Sequence, residues 1–337
     1  MQPDLALPVR GFLAAAGWGN AGIAPLTGDA SNRRYFRLRL GHRRAILMDA
    51  ASDGRTRAFV AIGAGLLALG LSAPRVLAQD HDAGLLLLED FGDALFPAVI
   101  ARDPTVEKRL YSGAIGVLVR LGQQQPPPGL VALDAAEMAQ IARMAVDWYQ
   151  PAATGQATVG AAELCELLQR IAAPLIAGPQ VLMLRDYHAG NLIWLPRRSG
   201  PARVGLLDYQ DAMAAHPAYD LVSLLQDARR DVAPDLEAAM MARYVKASGQ
   251  GHDFTAAYAV MGAQRALRII GVFARLTLHF AKPQYLVHLP RVYRQLRRNL
   301  DHPALAELAA LCDKLVPSPT KAILNRIKSQ CGTIPMP

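Results

Sequence analysis

The sequence predicts an α+β chain of two lobes, a small β-rich N-terminal lobe and a larger, mainly helical C-terminal lobe. Three observations lead there. Strand-like runs joined by turn residues crowd the stretch from Arg34 to Leu88, whereas from Thr105 onward apolar residues recur at helical spacing. At 337 residues and 52% hydrophobic, the chain can bury a substantial core and is too long for one small module. The expected boundaries are 1–90, 91–316 and a loosely held tail over 317–337.

Residues 5–17 read as a short amphipathic helix ending at a glycine. Two strands, Arg34–Leu40 and Arg44–Asp49, flank Gly41-His42, a hairpin signal. Ahead of them, Thr27-Gly28-Asp29-Ala30-Ser31-Asn32 is a turn whose backbone N–H groups, with the following Arg33 and Arg34, suit a phosphate. The same residue types also make an ordinary turn. A helix over Arg55–Leu71 contains no acid. Strands Arg75–Ala78 and Leu85–Leu88 then run into Glu89-Asp90-Phe91-Gly92-Asp93, an acid- and glycine-containing break that reads as a hinge between lobes.

Three helices follow, Val106–Leu121, Ala135–Tyr149 and Ala161–Ile176. The first two are parted by a stretch with Pro126-Pro127-Pro128, which cannot continue a helix. Asp235–Leu315 reads as a helical bundle without internal repeats. In it Arg265, Arg268 and Arg275 fall within about 80° of one another at 3.6 residues per turn. They form either a solvated face or an anion pocket for a carboxylate. Arg291, Arg294 and Arg298 repeat the geometry.

Charged residues make up 19% of the chain, which excludes a disordered tail carrier, and the net charge is +8 with a pI near 9.6. That balance suits an anionic ligand such as a nucleotide or acidic sugar. The arginines are spread out and no nucleic-acid motif accompanies them, so a nucleic-acid partner is not expected. Cys165, Cys312 and Cys331 are too scattered for a disulfide framework or a zinc site, which points to a reducing compartment. No uncharged run approaches the roughly 18 apolar residues of a membrane span, and MQPDLALPVRGF lacks a cleavable signal pattern. The expectation is a cytoplasmic protein without a membrane partner, a monomer or weak dimer.

The most informative stretch runs from Leu182 to Asp220. Two apolar runs, Val181–Leu184 and Val204–Leu207, lead into Asp186 and Asp208, with Asn191 between them. Strands of that length deliver carboxylates to the rim of a packed core. Asp186, four residues and Asn191 match the D-x-x-x-x-N catalytic loop of kinases, whose aspartate takes the acceptor proton and whose asparagine ligates magnesium. Asp208 falls where the second metal-binding aspartate belongs. Magnesium takes such oxygen ligands and leaves thiols and imidazoles alone. Any one of the three alone would cap a turn; the spacing behind two strands carries the assignment. Asp220, just before an apolar helix, reads with Arg185 as structural support for the loop. His188, with no second histidine or cysteine nearby, reads as a hydrogen-bonding loop residue.

One departure stands out. Where the kinase strand V-A-I-K ends in lysine, this chain has Ala45-Ile46-Leu47-Met48, and the next helix lacks the partner glutamate. Arg33 or Arg34 is expected to supply the phosphate cation instead. No histidine precedes Arg185-Asp186 either; Leu184 stands there.

LRDYHAGNL and LLDYQDAMAAHPAYDLVSLLQDARRDV resemble the aminoglycoside/choline phosphotransferase family, of protein-kinase-like fold. Within it the chain is most similar to the N-acetylmuramate/N-acetylglucosamine anomeric kinase branch. The resemblance covers most of the chain and is densest from Leu182 to Val232. It implies ATP and Mg2+ as cofactors and phosphorylation of the anomeric hydroxyl of an N-acetylated amino sugar in peptidoglycan recycling. It also implies Asp186 as base and Asn191 and Asp208 as metal ligands. Nucleotide-binding candidates are Gly28, Ser31, Asn32, Arg33, Arg34, Glu89 and Asp90, the last two at a hinge meeting adenine. Substrate-binding candidates are His188, Asp211, Arg265 and Arg268. Two alternatives stay open: a kinase for an aminoglycoside, choline or homoserine, which would want an acidic pocket, and a non-catalytic nucleotide-binding scaffold, motivated by the missing lysine and glutamate.

Overall fold

In the computed structural model, which describes residues 6–26, 33–50, 54–251 and 253–334, side chains alternating across the pleat build a five-stranded antiparallel sheet. Its strands are β1 (Gly22–Leu26), β2 (Arg34–Leu40), β3 (Arg43–Asp49), β4 (Val76–Asp80) and β5 (Leu85–Glu89), in the order β1-β2-β3-β5-β4. On β2, Phe36 and Leu38 are buried while Arg39 is exposed. Helix α1 (Leu7–Ala15) lays Val9 and Leu13 on that apolar face, with Trp18 and Leu47. Gly41, at φ 58, closes the β2–β3 hairpin. Met48 lies opposite Tyr35 on one side and Leu86 on the other and is 2% exposed, so an ammonium at this position would be buried in apolar core. Strand β1 falls just ahead of the residues read as a turn. Its Pro25 hides the strand from pattern reading yet is tolerated at the edge of a sheet.

Contacts gather the chain into two units, Met1–Arg120 with Ala189–Ala212, and Leu121–His188 with Met213–Pro337. Beyond the sheet, the first holds α2 (Thr56–Ala68), α3 (Phe96–Arg102), most of α4 (Glu107–Gly122), and the hairpin of β7 (Leu192–Trp194) with β8 (Val204–Leu206). Bridges between Ser72 and Gly205 and between Leu95 and Ile193 stitch that hairpin in. This grouping differs from a division at residue 90, because α3, α4 and the β7–β8 hairpin pack with the sheet-bearing unit.

The second unit pairs β6 (Val181–Met183) with β9 (Met213–Ala215) and carries nine described helices. These are α5 (Ala135–Ala142), α6 (Gln150–Thr154), α7 (Ala161–Leu175), α8 (Ala218–Leu225), α9 (Pro234–Ser248), α10 (Phe254–Leu278), α11 (Leu289–Leu300), α12 (Ala306–Leu315) and α13 (Lys321–Ser329). Helix α10 is buried nearly all round, as a central helix must be. Its Gly271 permits close approach, since a Cβ there would fall 2.2 Å from the Met144 carbonyl carbon. Just beyond Met144 a π turn over Ala145–Tyr149 interrupts the single helix expected from Ala135 to Tyr149.

The expectation of a loose tail after Pro317 is corrected. Helix α13 is capped by the Thr320 hydroxyl and buries Ile327, while Arg326 and Gln330 donate to the carbonyls of Ala152, Ala153 and Thr154. One fully buried apolar residue, the half-buried Ile323 and Leu324 and a set of long polar side chains dock it, a pattern too sparse for composition to reveal.

Candidate active site

In the second unit, the chain leaving β6 is pinned by Asp220 from the first turn of α8. The Asp220 carboxyl is buried and accepts the backbone N–H groups of Leu184 at 2.6 Å and Arg185 at 3.0 Å. Beyond it the backbone turns sharply. Asp186 N–H donates to Leu184 O, His188 N–H donates to Asp186 O, and Arg185 adopts φ 72. A positive φ outside glycine costs energy and persists only where surroundings hold it. Here the two bonds from Asp220 do so, with the Ser223 hydroxyl on the Arg185 carbonyl at 3.5 Å.

Burial alone would raise the Asp186 carboxyl. Arg268 above all, then His188, Arg185 and Arg265, overcome that and hold it below the ordinary carboxylate range. Asp220 goes the other way: burial pushes it up to about 7, against the two backbone bonds it accepts. His188 is buried, which lowers it, and its Nε2 lies 3.2 Å from the Arg229 guanidinium.

The solvated-face expectation for the α10 arginines is corrected. Arg265 is 5% exposed, donates to the Gln226 carbonyl at 3.2 Å and leaves its Nε without a hydrogen-bond partner among the described residues. Arg268 is half-buried and donates to the Tyr219 hydroxyl at 3.1 Å. They lie inside because α10 is the central helix.

In the first unit, the Asn191 carbonyl accepts the Leu207 N–H at 3.0 Å, and Leu192 faces Leu206 across the hairpin. Asn191 and Asp208 therefore emerge at the same end of β7 and β8. Asp208 adopts φ 57, a second strained non-glycine residue. Its Oδ1 accepts from Arg33 at 3.1 Å and from the Gln210 amide at 2.8 Å. Asp211, a substrate candidate by sequence, instead pairs with Arg33 at 3.9 Å, accepts from Gln210 at 3.2 Å and pairs with Arg55. Arg34 turns to Asp49. Glu89 is gripped by Arg198 at 2.6 Å and Asp90 by Arg37 at 2.9 Å, so both carboxylates are engaged by the fold. Gly28, Ser31 and Asn32 lie outside the described residues.

Arg55 and Gln210 were not legible as site residues. The one sequence signal for Arg55 is a cation at the start of an acid-free helix.

Both bonds to Asp208 fall on Oδ1, so Oδ2 faces no partner among the described residues, and the side chain is 42% exposed. With the Asn191 amide this is a hard oxygen donor set, and magnesium is usually bound by one or two such groups plus phosphate oxygens. The residues fit it. No cluster of three or more His, Cys, Asp or Glu able to hold a metal occurs among the described residues.

The profile of the APH phosphotransferase enzyme family matches residues 22–258. The N-acetylmuramate/N-acetylglucosamine kinase of Caulobacter vibrioides is 39% identical, the match covering 92% of this chain and 96% of that one. The Pseudomonas aeruginosa protein of the same name is 34% identical over 90% and 92%. Among solved structures, a choline/ethanolamine kinase family protein from Mesorhizobium loti superposes with TM-score 0.59 at 13% identity, covering 96% of this chain and 98% of that one. A Streptomyces rimosus aminoglycoside phosphotransferase in complex with ADP and streptomycin gives TM-score 0.54 at 20% identity, covering 80% and 99%. The fold is α+β, of the protein-kinase-like type these kinases share. No helix among the described residues is long and apolar enough to cross a membrane.

Proposed function

This chain belongs to the phosphotransferase enzyme family, and on that premise we propose that it transfers the γ-phosphoryl group of ATP to the anomeric C1 hydroxyl of N-acetylmuramate or N-acetylglucosamine. The observation that carries this is Asp186, presented on a strained turn and kept ionised by the cations around it. The carboxylate orients the C1 hydroxyl and takes its proton as the oxygen attacks the γ-phosphorus and the bond to ADP breaks. An anomeric hydroxyl is more acidic than an ordinary alcohol, so a carboxylate with a low pKa is a sufficient base. Asn191 and Asp208 would hold magnesium, which when bound neutralises charge on the β- and γ-phosphate oxygens. Arg33 stands in for the lysine that Met48 replaces, its planar fork suited to phosphate oxygens.

The environment of the base weighs against a kinase for aminoglycosides or choline. Arg185, Arg265 and Arg268 act on Asp186, whereas a cationic acceptor wants acids there. A non-catalytic scaffold has no use for a base held ionised.

The test pairs turnover with nucleotide binding. Asp186→Ala should lose about 10²–10⁴ in turnover while ADP binding, measured by calorimetry with magnesium, survives. Asp208→Ala should weaken that binding as well, and Arg33→Ala should raise the ATP Michaelis constant. Near-normal turnover in Asp186→Ala would sink the assignment.

A further inference from the structure

Within the sheet-bearing unit, the lysine–glutamate pair that links strand to helix in kinases is absent on both sides. Met48 occupies the strand position, and α2 (TRAFVAIGAGLLA) has no acid at all. Yet α2 begins with a cation. Arg55 stands at its N-cap with no side-chain cap bond and no acid in the first turn, which the helix dipole disfavours.

The partner of Arg55 is Asp211, three residues beyond Asp208. Arg33 and Gln210 tie the two acids together, with Arg33 at 3.1 Å from Asp208 and 3.9 Å from Asp211, and Gln210 at 2.8 and 3.2 Å. The same helix grips the intervening residue. Phe59 stacks on the Tyr209 ring at 4.7 Å, and Gly63 leaves room for the Tyr209 hydroxyl, which a Cβ would meet at 2.6 Å. Helix α2 thus holds residues on the C-terminal side of Asp208 by charge and by packing. Asp208 itself sits at φ 57, a conformation its surroundings must impose.

We propose that Arg55 and Asp211 form a positioning ion pair of reversed polarity, with the cation on the helix and the acid on the metal-carrying loop, that orients Asp208 in place of the missing lysine–glutamate pair. Two arginines and two aspartates make the cluster neutral without a strand lysine. An isolated exposed ion pair contributes little; this one shares Arg33 and Gln210 with Asp208, so its loss is transmitted to the ligand. Arg55 acts through Asp211 and is a positioning residue. The inference rests on the reading of Asp208 as a magnesium ligand.

The experiment is a double-mutant cycle on the full chain with Arg55→Ala, Asp211→Ala and both together. Two quantities are read: the free magnesium needed for half-saturation of ADP binding by calorimetry, and backbone hydrogen exchange over residues 207–212 in nucleotide-free protein. Supporting residues of a metal ligand typically cost 10–100-fold in metal affinity. Each single variant should therefore raise the magnesium requirement at least ~10-fold and speed exchange over 207–212. The double variant should be no worse than the worse single, and Arg55→Lys should recover most of both effects. Additive effects, or an unchanged magnesium requirement in Arg55→Ala, would overturn the proposal. Should Asp211→Ala lose its cooperative melt, Asp211→Asn replaces it in the cycle under the same criteria. If Asp208→Ala itself leaves the magnesium requirement unchanged, the metal-ligand reading falls, whereas unchanged exchange over 207–212 in Arg55→Ala defeats the positioning pair alone.

Discussion

Asp186 owes its charge state to its neighbours, and that makes its role accessible through pH. The base we propose reacts as the carboxylate, and Arg268 is the strongest of the influences that hold it below the ordinary range against the opposing effect of burial. Arg268→Gln removes that cation, so the Asp186 pKa must rise. The acid limb of the kcat/KM profile should then move to higher pH, with a deficit against wild type that deepens as pH falls. Profiles that run parallel across the acid limb would show that Arg268 acts on something other than the base. His188 enters the same balance as a lesser influence than Arg268, and burial lowers its own pKa.

At the scale of elements, helix α8 serves the turn after β6 through one residue. Asp220→Asn keeps the shape but replaces one acceptor oxygen with a donor, leaving the N–H of Leu184 or Arg185 unsatisfied. That costs about 1–3 kcal/mol. Its pH dependence has a definite sign: the folded pKa of about 7 lies above the ordinary aspartate value, so the folded chain binds the proton more tightly. This group's contribution is fully present below the unfolded pKa and is lost as pH rises through about 7. Urea unfolding across that range should show wild type losing this contribution and Asp220→Asn lacking the loss; equal slopes would remove Asp220 as the source. The elements differ in how much of them could be read in advance. Strands β2 and β3 were legible because Phe36 and Leu38 alternate with polar neighbours around a glycine turn, and Asp186, Asn191 and Asp208 because their spacing is short and local. The pairing of Arg33 with Asp208 spans 175 residues, and no local pattern encodes it. The α10 arginines were legible as a stripe but not as a buried one, since periodicity gives their angular spread and not which side faces the core.

At the scale of the whole molecule, the net charge of +8 adds a long-range field to the local cations. Such a field raises the encounter rate with anions and is screened by salt, over a Debye length of about 8 Å at physiological ionic strength. The two candidate sugars divide on this point. N-acetylmuramate carries a lactyl carboxylate and N-acetylglucosamine is neutral, while ATP is common to both reactions. With ATP and magnesium saturating, kcat/KM for N-acetylmuramate should therefore fall as potassium chloride is added, and that for N-acetylglucosamine should change much less. The arginines that act on Asp186 predict the same preference at close range, so N-acetylmuramate should be the better substrate at low salt. The product is checked by phosphorus–proton coupling in NMR, which should place the phosphate on C1 for both sugars. Phosphate on the 6-hydroxyl would refute anomeric transfer, and turnover confined to amine-bearing acceptors would return the chain to the aminoglycoside and choline kinases whose fold it shares.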